Sequence, residues 1–239
     1  MKRALVTGGS GGIGAAICRK LAAQGCEVLV HANSQLDRAE AVAAEIRAAG
    51  GSARAIAFDV TAAEVTKAAL ERELEAGAIQ VLVNNAGIHA DAVFAGMSQE
   101  KWARVIDVSL NGFYNVTQPL TLPMLRTRWG RIVNIGSVAG IVGNRGQVNY
   151  AAAKGALHAA TKALALEVAS RGVTVNAVAP GIIDTGMIEG VFDAETIKRL
   201  VPMQRAGRPE EVAELVGFLA SEAAGYLSGQ VISINGAMI

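Results

Sequence analysis

Two hydrophobic periods alternate along this chain. Short runs rich in Val and Ile at 3–7 (RALVT), 26–31 (CEVLVH), 53–58 (ARAIAF), 79–84 (IQVLVN), 130–135 (GRIVNI), 173–179 (VTVNAVA) and 229–234 (GQVISI) predict seven strands. Several are apolar almost throughout, as expected of parallel strands covered on both faces. Helically spaced stretches separate them. From Ile13, apolar residues recur at Ile17 and Leu21 and build one buried stripe. Further helices are predicted near 35–49, 62–76, 99–127, 149–171 and 209–221. This alternation predicts an α/β fold with a doubly wound, seven-stranded parallel sheet of Rossmann type. No Pro/Ser-rich linker or repeat divides the chain. A single domain over 1–239 is expected, with a short irregular excursion at about 184–208.

Composition changes this picture little. At 239 residues and 51% hydrophobic the chain can bury a large core. Lys+Arg 22 against Asp+Glu 21 leaves a formal +1 with no run of one sign, so a nucleic-acid groove or an anionic-membrane patch is not favoured. The apolar run after the basic start MKR is too short for a signal peptide, and no segment reads as membrane-spanning; a soluble, cytoplasmic protein is expected. Cys18 and Cys26 read as buried free thiols. His31, His89 and His158 lack metal-ligand spacing, so no metal is expected. For His89 a structural or solvent-facing role is expected, and Trp102 and Trp129 suit packing.

Candidate chemistry begins with LVTGGSGGIGAA (5–16), which follows the first strand and opens the first helix. Gly9, Gly11 and Gly14 satisfy G-x-G-x-x-G; Gly8, Gly12 and Gly14 satisfy T-G-x-x-x-G-x-G from Thr7. In that setting the helix N-terminus offers unpaired N–H groups to a pyrophosphate, and dinucleotide binding is expected. A carboxylate after the second strand would hydrogen-bond an NAD ribose. Ala32 stands there instead, followed by Asn33 and Ser34, which favours NADP (NADPH) over NAD. No Lys or Arg lies in the glycine loop, and the nearest basic residue after strand two is Arg38.

Downstream, Tyr150 and Lys154 in VNYAAAKGA are four apart, which places them on one helix face about 5.4 Å apart along the axis. A neighbouring ammonium favours phenolate and lowers a tyrosine's pKa, so the pair can exchange a proton with a carbonyl oxygen. Ser137 follows the fifth strand, at the carboxyl edge where doubly wound sheets bind ligands.

The set TGGSGGIG (7–14), NNAG (84–87), Asn111, Ser137, Tyr150, Lys154 and PG (180–181) resembles the short-chain dehydrogenase/reductases over essentially the whole chain. The resemblance implies that Tyr150 donates the proton, Ser137 polarises the carbonyl, and Lys154 binds the nicotinamide ribose and lowers the tyrosine's pKa. It implies that Asn111 holds a water linking Lys154 to solvent. For the cofactor it implies contacts from Thr7, Gly8, Ser10, Gly12, Ile13 and Gly14, from Asn33 and Ser34, and from Asp59 and Val60 at the adenine. It adds Asn84, Ala86 and Gly87, then Pro180, Gly181, Ile183 and Thr185 near the carboxamide and phosphates.

Within the family, GNRGQVNYAAAKGA (143–156) and GIHAD (87–91) are similar to the 3-oxoacyl-[acyl-carrier-protein] reductases, with Arg145 at a variable position. This implies reduction of a 3-oxoacyl thioester on acyl carrier protein, a homotetramer, and carrier docking by Arg128 and Arg171. Two departures stand out. Gly11 occupies a position where many NADP-using relatives carry Arg or Lys, and Gly236-Ala237 replaces a more usual Gly-Gly. The alternatives are a reductase of the same fold acting on another ketone or secondary alcohol, and a non-catalytic dinucleotide sensor.

Overall fold

Along the first strand, β1 (Arg3–Val6), Ala4 and Val6 face one layer of apolar side chains while Leu5 faces another; all three are fully buried. That two-sided burial explains why the strand-forming runs are apolar throughout. In the computed structural model, which describes residues 1–185 and 193–239, the other strands are β2 (Glu27–Ala32), β3 (Ser52–Ala57), β4 (Val81–Asn84), β5 (Gly130–Ile135), β6 (Val173–Pro180) and β7 (Val231–Ile234). All pair in parallel in the order β3-β2-β1-β4-β5-β6-β7.

The helices are α1 (Gly12–Ala23), α2 (Leu36–Ala48), α3 (Ala63–Glu75), α4 (Gln99–Ile106), α5 (Gly112–Arg126), α6 (Ala139–Val142), α7 (Val148–Val168), α8 (Ala194–Leu200) and α9 (Pro209–Leu219). Side chains of α1, α2 and α9 fill one layer; those of α3, α5 and α7 fill the other. The stripe Ile17–Leu21 of α1 is buried as its spacing requires. The helix expected over 99–127 is α4 and α5 joined by a wider, π-helical turn, Asp107–Asn111. Of the excursion at about 184–208, residues 186–192 lie outside the described residues, and α8 falls within the remainder. Cys18 and Cys26 are buried free thiols. No helix among the described residues is long and apolar enough to cross a membrane.

Strand order reverses between β1 and β4, and a crevice opens there at the carboxyl edge of the sheet. The loops carrying the glycine turn, NNAG and Ser137 all leave that edge.

Candidate active site

The glycine turn is held chiefly by the protein's own backbone. A Cβ on Gly14 would lie 2.1 Å from the Gly8 carbonyl oxygen and 2.7 Å from Asn85 Nδ2, so the start of α1 sits directly on the turn. Gly8 has φ +63°, where glycine is favoured, and its N–H donates to His31 Nδ1 at 3.2 Å. The opposite nitrogen, His31 Nε2, donates to the Phe58 carbonyl at 2.8 Å. Buried between these partners, His31 is pushed down to a pKa of about 4, the loss of hydration outweighing the Phe58 bond and the Asp59 charge. It is therefore a neutral bridge from the turn to the end of β3. Gly11 caps α1 with no side-chain bond, which leaves the first-turn N–H groups for an anion.

A cleft of about 640 Å³ opens beside this turn, lined by Gly8, Ser10, Asn33, Ser34, Asp59, Val60, Ala86 and Gly87 among others. Its size, the uncapped helix start and the glycine cradle fit a dinucleotide. Thr7 is buried, its Oγ1 accepting the N–H groups of Asn85 and Ala86 at 3.0 Å each. Gly12 (φ +50°) faces Thr185, whose Cγ2 lies 3.3 Å from where a Cβ would be, and Ile13 is partly buried against the core. Pro180 accepts Val138 N–H, Gly181 packs on Asn235, and Ile183 is buried with its side chain in the core.

Asn84 does not turn toward the cleft. Its amide donates to Thr117 Oγ1 at 3.0 Å and to Asn134 Oδ1 at 2.9 Å inside the protein. Its neighbour Asn85, which the motif reading passed over, does the positioning: its Nδ2 donates to the carbonyls of Thr7 (2.9 Å) and Gly8 (3.0 Å). An amide directly after a strand, opposite a glycine turn, was the available signal.

Across the crevice stands the Tyr150 wall. Asn149, fully buried, donates to the carbonyls of Ala90 and Lys101 and accepts Tyr150 N–H at 2.8 Å, so one amide ties the start of α7 to the loop after β4 and to α4. Ser137 acts on the Tyr150 phenol, and Lys154 Nζ lies 5.6 Å from the Tyr150 ring centre, on the same side of α7. The ammonium donates to the Ile135 carbonyl at 2.7 Å. Burial lowers Lys154 to about 8 and raises Tyr150 to about 12; Ser137 pulls the phenol back down and Asp91 pushes it further up. In the chain by itself burial outweighs the pull of Ser137, so the phenol is raised rather than lowered.

His89 is neither remote nor merely solvent-facing: its ring stacks on Tyr150 with centres 4.2 Å apart and planes 30° apart. Gln147 Nε2 donates to Asp91 Oδ2 at 2.9 Å and to His89 Nδ1 at 3.4 Å, completing the wall. Asn111, at the end of the π turn, is exposed and donates to Asp107 Oδ1 at 2.7 Å rather than meeting Lys154. Arg128 and Arg171 precede β5 and β6, so a single chain carries them at the sheet edge opposite Ser137, beside each other where Gly172 packs on the Arg128 carbonyl.

The sequence pattern of the family described as short chain dehydrogenase matches residues 2–196. A 3-oxoacyl-[acyl-carrier-protein] reductase of Aggregatibacter actinomycetemcomitans is 46% identical over 236 residues, 98% of each chain. A protein of the same description from Synechocystis sp. is 47% identical over 99% of this chain and 96% of its own. Nodulation protein G of Azospirillum brasilense is 44% identical over 99% of this chain and 98% of its own.

Proposed function

The chain belongs to the short-chain dehydrogenase family of nicotinamide-dependent oxidoreductases, and we propose that it reduces a 3-oxoacyl thioester on acyl carrier protein to the 3-hydroxyacyl thioester with NADPH. The observation that carries the chemistry is the Lys154 ammonium 5.6 Å from the Tyr150 ring on the same helix face, at the edge of the glycine cleft beside Gly87, with Ser137 acting on the phenol. The bound cofactor supplies hydride; the chain's own part is protonic. Burial keeps the phenol protonated through neutral pH, ready to donate to the carbonyl oxygen, while Ser137 orients that oxygen. Lys154 stabilises the phenolate left behind and returns a proton to it.

The thioester assignment is supported by the names of the relatives and by the GNRGQVNY run. NADPH is supported by Ala32, which repels no 2′-phosphate, and by Arg38. The Arg38 guanidinium reaches back from α2 to within 3.5 Å of where a Gly11 side chain would start, and its own bond is to Gln35. Gly11 itself is extended (φ −168°), so its missing side chain answers no backbone need and leaves room for Arg38. Self-association, as a homotetramer, is supported by exposed Tyr114 on α5 and Leu166 on α7. Carrier docking by Arg128 and Arg171 would then come from a neighbouring copy. A second reading, a different ketone on the same scaffold, is favoured by the nodulation relative.

The test follows cofactor absorbance with NADPH or NADH against 3-oxoacyl carrier-protein thioester, the matching coenzyme A thioester and unrelated ketones. Turnover is expected with NADPH and the carrier-linked substrate, and Tyr150→Phe should lower it by about 10²–10⁴-fold while cofactor binding persists. Faster turnover of an unrelated ketone selects the second reading. Turnover retained in Tyr150→Phe rejects the assigned acid.

A further inference from the structure

Ser109 and Asn111 lie two positions apart in the π turn, so their side chains leave the helix in nearly opposite directions. Asn111 points outward to Asp107, whereas Ser109 is 3% exposed and its Oγ has no hydrogen-bond partner among the described residues. We infer that Ser109, rather than Asn111, is the residue of this helix that positions Lys154 for proton exchange.

Three observations converge on the space above Gly87. The point where a Gly87 Cβ would sit is 3.3 Å from Lys154 Nζ, 3.8 Å from Ser109 Oγ and 3.9 Å from the Asn85 carbonyl oxygen. Glycine at 87 therefore keeps open the gap between ammonium and hydroxyl. Lys154 gives one of its three N–H donors to Ile135, and the hydroxyl, which the ammonium does not meet directly, can accept another through one water. Finally, α7 packs against the π turn, and it is this turn that aims residue 109 inward. Buried hydroxyls are rarely left unpaired, and the facing ammonium is the natural partner.

The charged and titratable groups facing Lys154 are Tyr150 and His158 from α7 and His89 from the loop after β4. The anion of this cluster, Asp91, acts on His89 and Tyr150, while Lys154 feels burial alone, so an accepting oxygen from the π turn is the group that favours the charged lysine. In turnover Tyr150 gives its proton to the substrate oxygen and regains one from Lys154. The neutral amine regains its proton from water by way of the Ser109 hydroxyl, which receives one proton as it passes another on; in sum one proton passes from solvent to Tyr150. This inference rests on the reading of Tyr150 as the acid.

Two readouts test it: the pH profile of kcat, and direct titration of Lys154 by NMR on isotope-labelled lysine, which needs no turnover. Ser109→Ala should move the Lys154 midpoint down by about one pH unit, with about ten-fold less turnover above the new midpoint. Ser109→Thr, which keeps the hydroxyl, should restore both, and Asn111→Ala should leave the midpoint in place. A midpoint unmoved in Ser109→Ala, or moved in Asn111→Ala, overturns the inference. If instead Tyr150→Phe still turns over, the underlying reading of the acid fails, whatever Ser109 does.

Discussion

At the glycine turn the contacts run through backbone: Gly8 N–H to His31, the Gly8 and Thr7 carbonyls to Asn85, the Gly8 oxygen beneath Gly14. At the Tyr150 wall they run between side chains: His89 stacked on the Tyr150 ring, Gln147 on Asp91 and on His89. One side of the crevice is shaped before any ligand arrives and has no room for another atom at Gly14. The other is a set of replaceable groups around one phenol. This division suits an enzyme whose cofactor is fixed while its carbonyl substrates vary within a family.

If the division is real, a single methyl should do more structural harm at the turn than loss of a whole functional group does at the wall. Gly14→Ala places carbon 2.1 Å from the Gly8 oxygen. It should abolish dinucleotide binding and cost about 1–3 kcal/mol or more in denaturant unfolding, whereas Tyr150→Phe keeps both fold and cofactor. A Gly14→Ala protein with unchanged dinucleotide affinity by calorimetry breaks the comparison.

The next effect sharpens it through pH. His31 titrates near 4 folded and about 6.5 unfolded, so between those values the unfolded chain binds a proton that the folded chain refuses. Stability is thus fully present above pH 6.5 and falls as pH drops toward 4, by on the order of 3 kcal/mol from this group. Urea unfolding at stepped pH should show the loss, and His31→Gln should flatten that part of the curve.

The smallest expected change lies outside both regions. Ala237 has φ +70°, a left-handed conformation, in the turn that Asn235 Oδ1 braces by accepting Ala237 and Met238 N–H. Ala237→Gly should relieve about 1 kcal/mol and raise the unfolding midpoint without altering kcat. An unchanged midpoint would show that the bracing already absorbs the strain.

The fold was legible because its signals are local: two-sided strands read as solid apolar runs, and α1 as a four-residue stripe. The seven strands fall within a few residues of their expected places. The place of the glycine turn between β1 and α1 was legible for the same reason. What escaped depends on direction across space. Spacing cannot say that Asn84 turns inward while Asn85 turns to the glycines, nor that His89 lies on the Tyr150 ring. A π turn has no signature in hydrophobic period, so which of Ser109 and Asn111 faces α7 was hidden. The phenol's acidity escaped too, since a nearby ammonium is visible in spacing but burial is not.

Asn84 and Asn134 stand opposite each other in the β4–β5 register, and their amides continue to Thr117 on α5 and Thr161 on α7. Sliding β5 by one residue would turn Asn134 to the opposite face and strand the other three. The pair acts as an alignment key. Gly87 lies three residues beyond one member and Ser137 three beyond the other. Two asparagines in the dry interior thereby set the level at which Gly87 and Ser137 emerge side by side.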